Sequence, residues 1–189
     1  LTGRLRVGRL LPASRRQYLP PMRIVIIGGI ILVAVGAVFV IGLVVLNRTQ
    51  GGRPVGSPNL AAGTLAPCPE SPNCVSTRAP QEDQRHRVAP IPLGDTTAGA
   101  TPNPAEVLRR VAAIIENQPR MEIVERGDTY LRATATSKIF RFVDDIDFLV
   151  DSDEGMLHMR SASRVGEGDM GVNRARYEFF REALRRGSE

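Results

Sequence analysis

From Ile24 to Leu46 the chain carries 23 consecutive residues without a charge, most of them Ile, Val, Leu and Ala. A helix of that length crosses the ~30 Å hydrocarbon core of a bilayer while satisfying every backbone polar group within itself. A secretory signal has a shorter apolar core with a small-residue cleavage site close behind it, whereas Leu46 is followed by Asn47-Arg48-Thr49-Gln50. The pattern therefore favours a retained anchor over a cleaved leader. Leu65-Ala66-Pro67-Cys68 resembles a lipoprotein cleavage box. Pro67 stands where a small flexible residue is needed and the apolar core ends too far upstream, so lipidation is not expected.

Arg4, Arg6, Arg9, Arg15, Arg16 and Arg23 precede the apolar run with no acidic residue among them, while residues 47–66 hold only Arg48 and Arg53. The positive-inside rule then places the basic arm, residues 1–23, in the cytoplasm. The body is expected on the periplasmic or exterior side of the inner membrane. Because the chain opens on Leu, Met22 is an alternative start, and the arm before it would then be non-native. The formal net charge of +5 invites a nucleic-acid reading. Setting the six arginines before Ile24 aside leaves 19 basic against 20 acidic residues, with the signs interspersed. That distribution lacks the basic stripe phosphate recognition requires, so no nucleic-acid partner is expected. The arm is better suited to anionic inner-leaflet lipid.

The two cysteines, Cys68 and Cys74, stand in CPESPNC. On the oxidising side of a membrane, with Pro69 and Pro72 able to turn the chain back, this spacing predicts a structural disulfide. A metal site would need further ligands, and His86 is the only other strong ligand in reach; a redox pair would have the tighter Cys-x-x-Cys spacing. Residues 47–66 are rich in Gly, Pro, Ser, Asn and Thr and read as a flexible tether. Residues 94–103 read as a second loop, and residues 67–189 as one body with a modest core.

Asn103-Pro104-Ala105-Glu106 is a helix start, with Asn capping, Pro at the first helical position and Glu106 placed to reach back. The helix runs to about Asn117, its apolar stripe formed by Val107, Leu108, Val111, Ala112 and Ile115. MEIVE, a turn at Arg126-Gly127-Asp128 and TYLRATAT read as one hairpin; segments 141–150 and 156–163, either side of DSDEG, read as another. A last helix from Val172 to about Arg186 places Val172, Ala175, Phe179, Phe180, Ala183 and Leu184 on one broad face. The expected fold is thus α+β: an N-terminal transmembrane helix (24–46), then a small antiparallel four-stranded sheet with two helices packed on one face.

Strand parity sorts the polar residues. Phe142, Asp144, Ile146, Phe148 and Val150 share one face of the third strand, leaving Asp145 and Asp147 on the other. In the fourth, Leu157, Met159, Ser161 and Ser163 share a face opposite His158, Arg160 and Arg164. If the apolar faces match, Asp144 lies on the core side near Ser161 or Ser163, and Asp145 and Asp147 face Arg160 across the pair, with His158 also in range. Two readings stay open: a satisfied hydrogen-bond cluster with a cross-strand ion-pair ladder, or a polar ligand site at one end of the sheet.

Several motifs fail on context. Gly166-Glu167-Gly168-Asp169-Met170-Gly171 spells G-x-G-x-x-G, but no second strand or distal acidic residue follows, and Glu167 and Asp169 would repel a pyrophosphate. Asp169 is instead placed to cap the last helix. A Ser-His-Asp triad from Ser161 or Ser163, His158 and Asp147 is opposed by parity, which sends the serines away from His158. Asp151-Ser152-Asp153-Glu154-Gly155 hints at a calcium loop, yet the turn is short and Ala162 occupies the position of the closing Glu. Asp145 and Asp147 could hold a divalent cation, but the nearby arginines point to internal neutralisation. No metal and no cofactor is expected.

CPESPNCVST, the FVDDIDF strand and RSASRVGEGDMGVNRAR together resemble the bacterial and plastid family called domain of unknown function 1499, from Cys68 to about Arg186. The resemblance implies no reaction or ligand. It implies that Asp144, Asp145, Arg160, Ser161, Ser163, Arg164, Gly166, Asp169, Gly171, Asn173 and Arg174 belong to a family signature. The chain is therefore read as a membrane-anchored envelope protein, its body a non-enzymatic binding or scaffolding module for a lipid-like or other envelope molecule or a membrane-protein partner. The alternative is a membrane-surface hydrolase using the Asp, Ser and Arg cluster.

Overall fold

The computed structural model describes residues 22–50, 52–93 and 103–186. The basic arm before Met22 and nearly all of the loop read over 94–103 lie outside the described residues. The apolar run forms helix α1, Met22–Gln50, and every residue from Ile24 to Gly42 is exposed. Among the described residues this is the one helix long and apolar enough to cross a membrane, a property that a signal sequence shares.

Beyond it come strands β1 (Cys74–Ser76) and β2 (Ile91–Pro92), helix α2 (Pro104–Glu116) and strands β3 (Met121–Arg126), β4 (Tyr130–Thr136), β5 (Val143–Asp151) and β6 (Met156–Ser163). Helix α3 (Val172–Arg186) is the last element. The sheet is antiparallel and runs β1-β6-β5-β4-β3, with β2 also paired to β6. It has six strands where four were expected. β1 and β2, three and two residues long, are too short to show alternation and exist because β6 offers them a ladder: Val75 pairs with Ser161, and Ile91 with Leu157.

Both helices lie on one face. The Asn103 side chain accepts the Ala105 amide at 3.0 Å at the start of α2, and Val107, Leu108, Val111, Ala112 and Ile115 are buried. They share a core with Leu131, Ala133, Ile146, Phe148, Leu157 and Met159, and with Tyr177, Phe180 and Leu184 of α3. The stripe of α3 is rotated from the expected one: Asn173, Tyr177, Phe180 and Leu184 are buried, while Val172 and Phe179 are exposed. A polar residue that finds four partners inside can outrank an exposed valine in choosing the buried face.

The opposite face of the sheet is covered too. Val55, Gly56, Leu65, Ala66 and Pro67 lie over it, with a one-turn 3-10 helix at Leu60–Ala62 between them. Leu65 joins Tyr130 and Leu149 in a second apolar cluster. The stretch read from composition as a tether, 47–66, is thus bound to the body over part of its length. Gly56 sits at φ 80, and a Cβ there would come within 2.8 Å of the Ala66 Cβ, so only glycine lets this strap close. Covered on both faces, β5 is buried from Asp144 to Val150.

Cys68 and Cys74 are disulfide-bonded, with Cα atoms 5.7 Å apart. The bond ties the end of the strap to β1. Replacing both cysteines with serine is expected to cost about 2 kcal/mol, the loop closed being short. The shift of the urea midpoint of the chain in mild detergent measures it, and a change below a few tenths of a kcal/mol would contradict it.

Candidate functional site

Parity along β5 splits its acidic residues between two environments. Asp145 and Asp147 point away from the helices and are 0% and 1% exposed. Asp147 Oδ1 accepts from Arg132 Nε at 2.7 Å and from the Tyr130 hydroxyl at 2.5 Å, while Oδ2 accepts from Arg160 Nη1 at 3.3 Å. The ladder registers explain the convergence, since Asp147 lies opposite Arg132 on β4 and Arg160 on β6. Arg160, wholly buried, also donates from Nη2 to the Pro67 carbonyl at 3.4 Å, and its Nε has no partner. Asp145 Oδ1 accepts from Arg164 Nη2 at 2.7 Å, and its Oδ2 from the Val55 amide at 2.9 Å.

This is a charge layer sealed by the strap. Burial, and then the Asp147 carboxylate, push the Tyr130 hydroxyl far above its ordinary value. Burial alone would lower Arg132, but the Asp147 hydrogen bond and charge raise it. At Arg160 burial prevails and the guanidinium is held below its usual value.

On the helix side a second network joins β5, β6, α3 and the segment before β1. Arg176 Nη2 donates to Asp144 Oδ2 at 2.7 Å, and its Nη1 donates to Asn173 Oδ1 and Ser161 Oγ at 2.7 and 2.8 Å. The Ser161 hydroxyl donates to Asn173 Oδ1 at 2.6 Å. Asn173 Nδ2 donates to the Asn73 carbonyl at 2.8 Å and to Ser163 Oγ at 3.0 Å. The Asn173 side chain therefore works as a junction.

Four further signature positions act on or through backbone. Asp169 accepts the Gly171 and Asn173 amides at 3.0 and 2.7 Å, capping α3 as its position predicts. Gly166 (φ 86) offers its carbonyl to Asn73 Nδ2, and Gly171 stands at φ 80, a backbone that side chains disfavour. Arg174 lies exposed and donates to the carbonyls of Arg85 and Arg87.

The residues singled out in the sequence thus fall into two separate networks and a set of backbone clamps. Asp144 meets Arg176, and the serines expected as its donors bond Asn173 instead. His158 does not join Asp145 or Asp147: its Nδ1 lies 3.0 Å from Thr77 Oγ1 and its Nε2 3.1 Å from Glu154 Oε2. Ser161, Ser163, His158 and Asp147 do not form a Ser-His-Asp arrangement. The reading from β5 and β6 passed over Tyr130, Arg132, Arg176, Asn73 and the Val55 amide. Tyr130 and Arg132 were within reach of the same parity argument applied to TYLRATAT; the Val55 amide left no trace in sequence.

Asp151, Glu154 and His158 present ligand-type atoms within 4.8 Å of one another at the β5–β6 turn. Arg78 already bridges the two carboxylates, at 2.7 Å to Asp151 and 3.3 Å to Glu154. A cation here would have to displace that guanidinium. Burial, with Arg78 adding to it, holds His158 below its ordinary 6.5, against the pull of Glu154 and Asp151. The unfolded chain therefore takes up this proton at a higher pH than the native one. Stability contributed by neutral His158 is present above about pH 6.5 and is lost as pH falls below that value. The urea midpoint should decline more steeply below pH 6.5 for the native chain than for His158→Gln; parallel profiles would contradict this.

Fold and site together define a small α+β domain whose sheet carries an apolar core on one face and a strapped layer of mutually paired charges on the other. The chain belongs to the family described as protein of unknown function DUF1499, whose model matches residues 64–184. No curated protein and no solved structure matches the chain.

Proposed function

We propose that this protein is a single-pass, membrane-anchored envelope protein whose body is a non-enzymatic module acting through its surface. It would serve as a scaffold or binding platform for a lipid-like or other envelope molecule, or for a membrane-protein partner. In this reading α1 stays in the inner membrane, the arginines before it remain in the cytoplasm, and the body stands on the periplasmic or exterior side. The disulfide supports that side, because such bonds persist in oxidising compartments. The charge asymmetry around the apolar run supports the same orientation.

One observation carries the non-enzymatic reading. The acidic, basic and hydroxyl groups that could act chemically are paired with one another inside the fold: Asp147 with Arg132 and Arg160, Asp145 with Arg164, Asp144 with Arg176, Ser161 with Asn173. General acid–base or nucleophilic work needs a group within hydrogen-bond reach of a substrate. These spend their capacity on each other, which weighs against a hydrolase built on the cluster. The helix–sheet core is likewise filled by Val111, Ile115, Phe148 and Phe180, so a ligand is better placed on the surface.

The test is photocrosslinking of the full chain in its own membranes, from probes at exposed positions on several sides of the body, with mass analysis of the products. A discrete lipid or protein neighbour, still captured by Ser161→Ala and Ser163→Ala variants, is expected. A body that captures nothing from any side would overturn the proposal.

A further inference from the structure

We propose that the tip of the β4–β5 hairpin is a lipid-contacting element that lays its apolar side chains into the surface of an anionic bilayer. The inference rests on the membrane anchoring proposed above and adds a second, independent contact with the same membrane.

The loop is closed at its base. The Ser137 amide donates to the Phe142 carbonyl at 2.8 Å, and the Phe142 amide donates to Ser137 Oγ at 2.9 Å. Residues 138–141, Lys-Ile-Phe-Arg, project beyond it, all exposed. Ile139 is 71% exposed, and the Phe140 ring stacks on Phe142 with centroids 5.6 Å apart. Hairpin turns normally take Gly, Asn, Asp or Ser, residues that suit water and tight backbones. An isoleucine and a stacked aromatic pair at a turn serve neither need.

The charges within the hairpin segment itself are of one sign. Lys138, the only lysine in the chain, and Arg141 flank Ile139 and Phe140, and no acidic residue occurs between Asp128 and Asp144. Arg120 reaches the same end of the sheet, its Nε donating to the Thr136 carbonyl at 3.2 Å. The turn at the opposite end of β5 is built the other way, from Asp151, Ser152, Asp153, Glu154 and Gly155. The two turns that bound the nine-residue strand β5 thus differ, one apolar and basic and the other polar and acidic. Apolar groups bracketed by Lys and Arg are the composition that binds at the headgroup–acyl boundary of anionic lipid.

The chain enters the body at this end of the sheet. Val55 enters the body by donating its amide to Asp145, three residues from Phe142. Four residues separate Gln50, where α1 ends, from Val55, five Cα steps that reach at most about 18 Å when fully extended. The tether therefore joins the body beside the base of the tip hairpin, on the Asp145 end of β5 and away from the acidic turn.

The chain contains no tryptophan, so an introduced indole reports alone. Full-length Ile139→Trp would be reconstituted into vesicles of phosphatidylglycerol and phosphatidylcholine, with and without brominated acyl chains, beside Asp153→Trp at the opposite turn. Phe140→Trp is the second tip reporter should Ile139→Trp fold poorly. The tip reporters are expected to emit blue-shifted and be quenched by bromine, while the Asp153 reporter is not. Adding Lys138→Glu and Arg141→Glu should lower the inserted-to-free ratio by roughly tenfold or more, about fivefold being expected for each basic side chain at the surface.

Flotation after an alkaline carbonate wash scores the anchor separately. A chain that floats with its tip unquenched overturns the tip contact and leaves the anchor standing. Equal quenching at both turns also overturns it, as does a blue shift without bromine quenching, which would mean a protein neighbour. A chain that does not float removes the anchor and this inference with it.

Discussion

Asp147→Ala is expected to destabilise the body by about 3–5 kcal/mol, because it strands two buried guanidiniums and a phenol at one stroke. Asp147 accepts from Arg132, Arg160 and Tyr130, and no other carboxylate bonds Arg132 or Arg160 among the described residues. Arg160 is wholly buried and already leaves Nε without a partner, so the strap carbonyl at Pro67 would be its remaining bond. Such a loss is a large share of the 5–15 kcal/mol by which domains of this kind are stable. The cost belongs to breaking the network rather than to lacking it. Arg132→Leu, Asp147→Leu and Arg160→Met combined should therefore recover much of the loss, since well-packed apolar replacements of buried ion networks are often neutral or better. Urea unfolding of the two variants beside the native chain decides the matter. A single variant within 1 kcal/mol of native, or a combined variant worse than the single, would refute the account.

Asn173→Ala is expected to cost about 3 kcal/mol, since it deletes a junction and leaves buried groups without partners. Its Oδ1 receives Ser161 and Arg176, and its Nδ2 serves the Asn73 carbonyl and Ser163. The effect should be local as well as global. The Ser163 amide, which donates to the same Asn73 carbonyl at 3.0 Å, should exchange its hydrogen faster than amides in the centre of β5. Asn173→Asp keeps an acceptor for Arg176 but loses the donors, and is expected to fall between the two. A uniform loss of protection across the sheet, with no excess at Ser163, would show that Asn173 acts through α3 alone.

Much of the architecture was legible in the chain because it is encoded by local patterns. Asn103-Pro104 starts α2 and Asp169 caps α3, each through a side chain acting on amides two to four residues away. The period of two in FVDDIDFLV placed Asp144 with the helices and Asp145 and Asp147 on the other face. The cysteine spacing in CPESPNC gave the disulfide. The phase of α3 was misjudged because Val172 and Phe179 look like core and Asn173 does not, until the partners of Asn173 are known.

Sequence by itself determined the apolar helix, the two hairpins, the parity of their charges and the membership of residues 64–184 in a family. Only the tertiary structure decided what those charges mean. A run of aspartates and arginines reads alike whether it waits for a ligand or neutralises itself. The difference lies in contacts that join residues far apart in the chain, Val55 with Asp145, Pro67 with Arg160 and Asn73 with Asn173. Two of these pass through backbone carbonyls and one through an amide, groups that every residue but proline carries in full and that leave no mark in composition or spacing. The short strands β1 and β2 were hidden for the same reason, since their ladder is supplied by β6 and not by any pattern of their own.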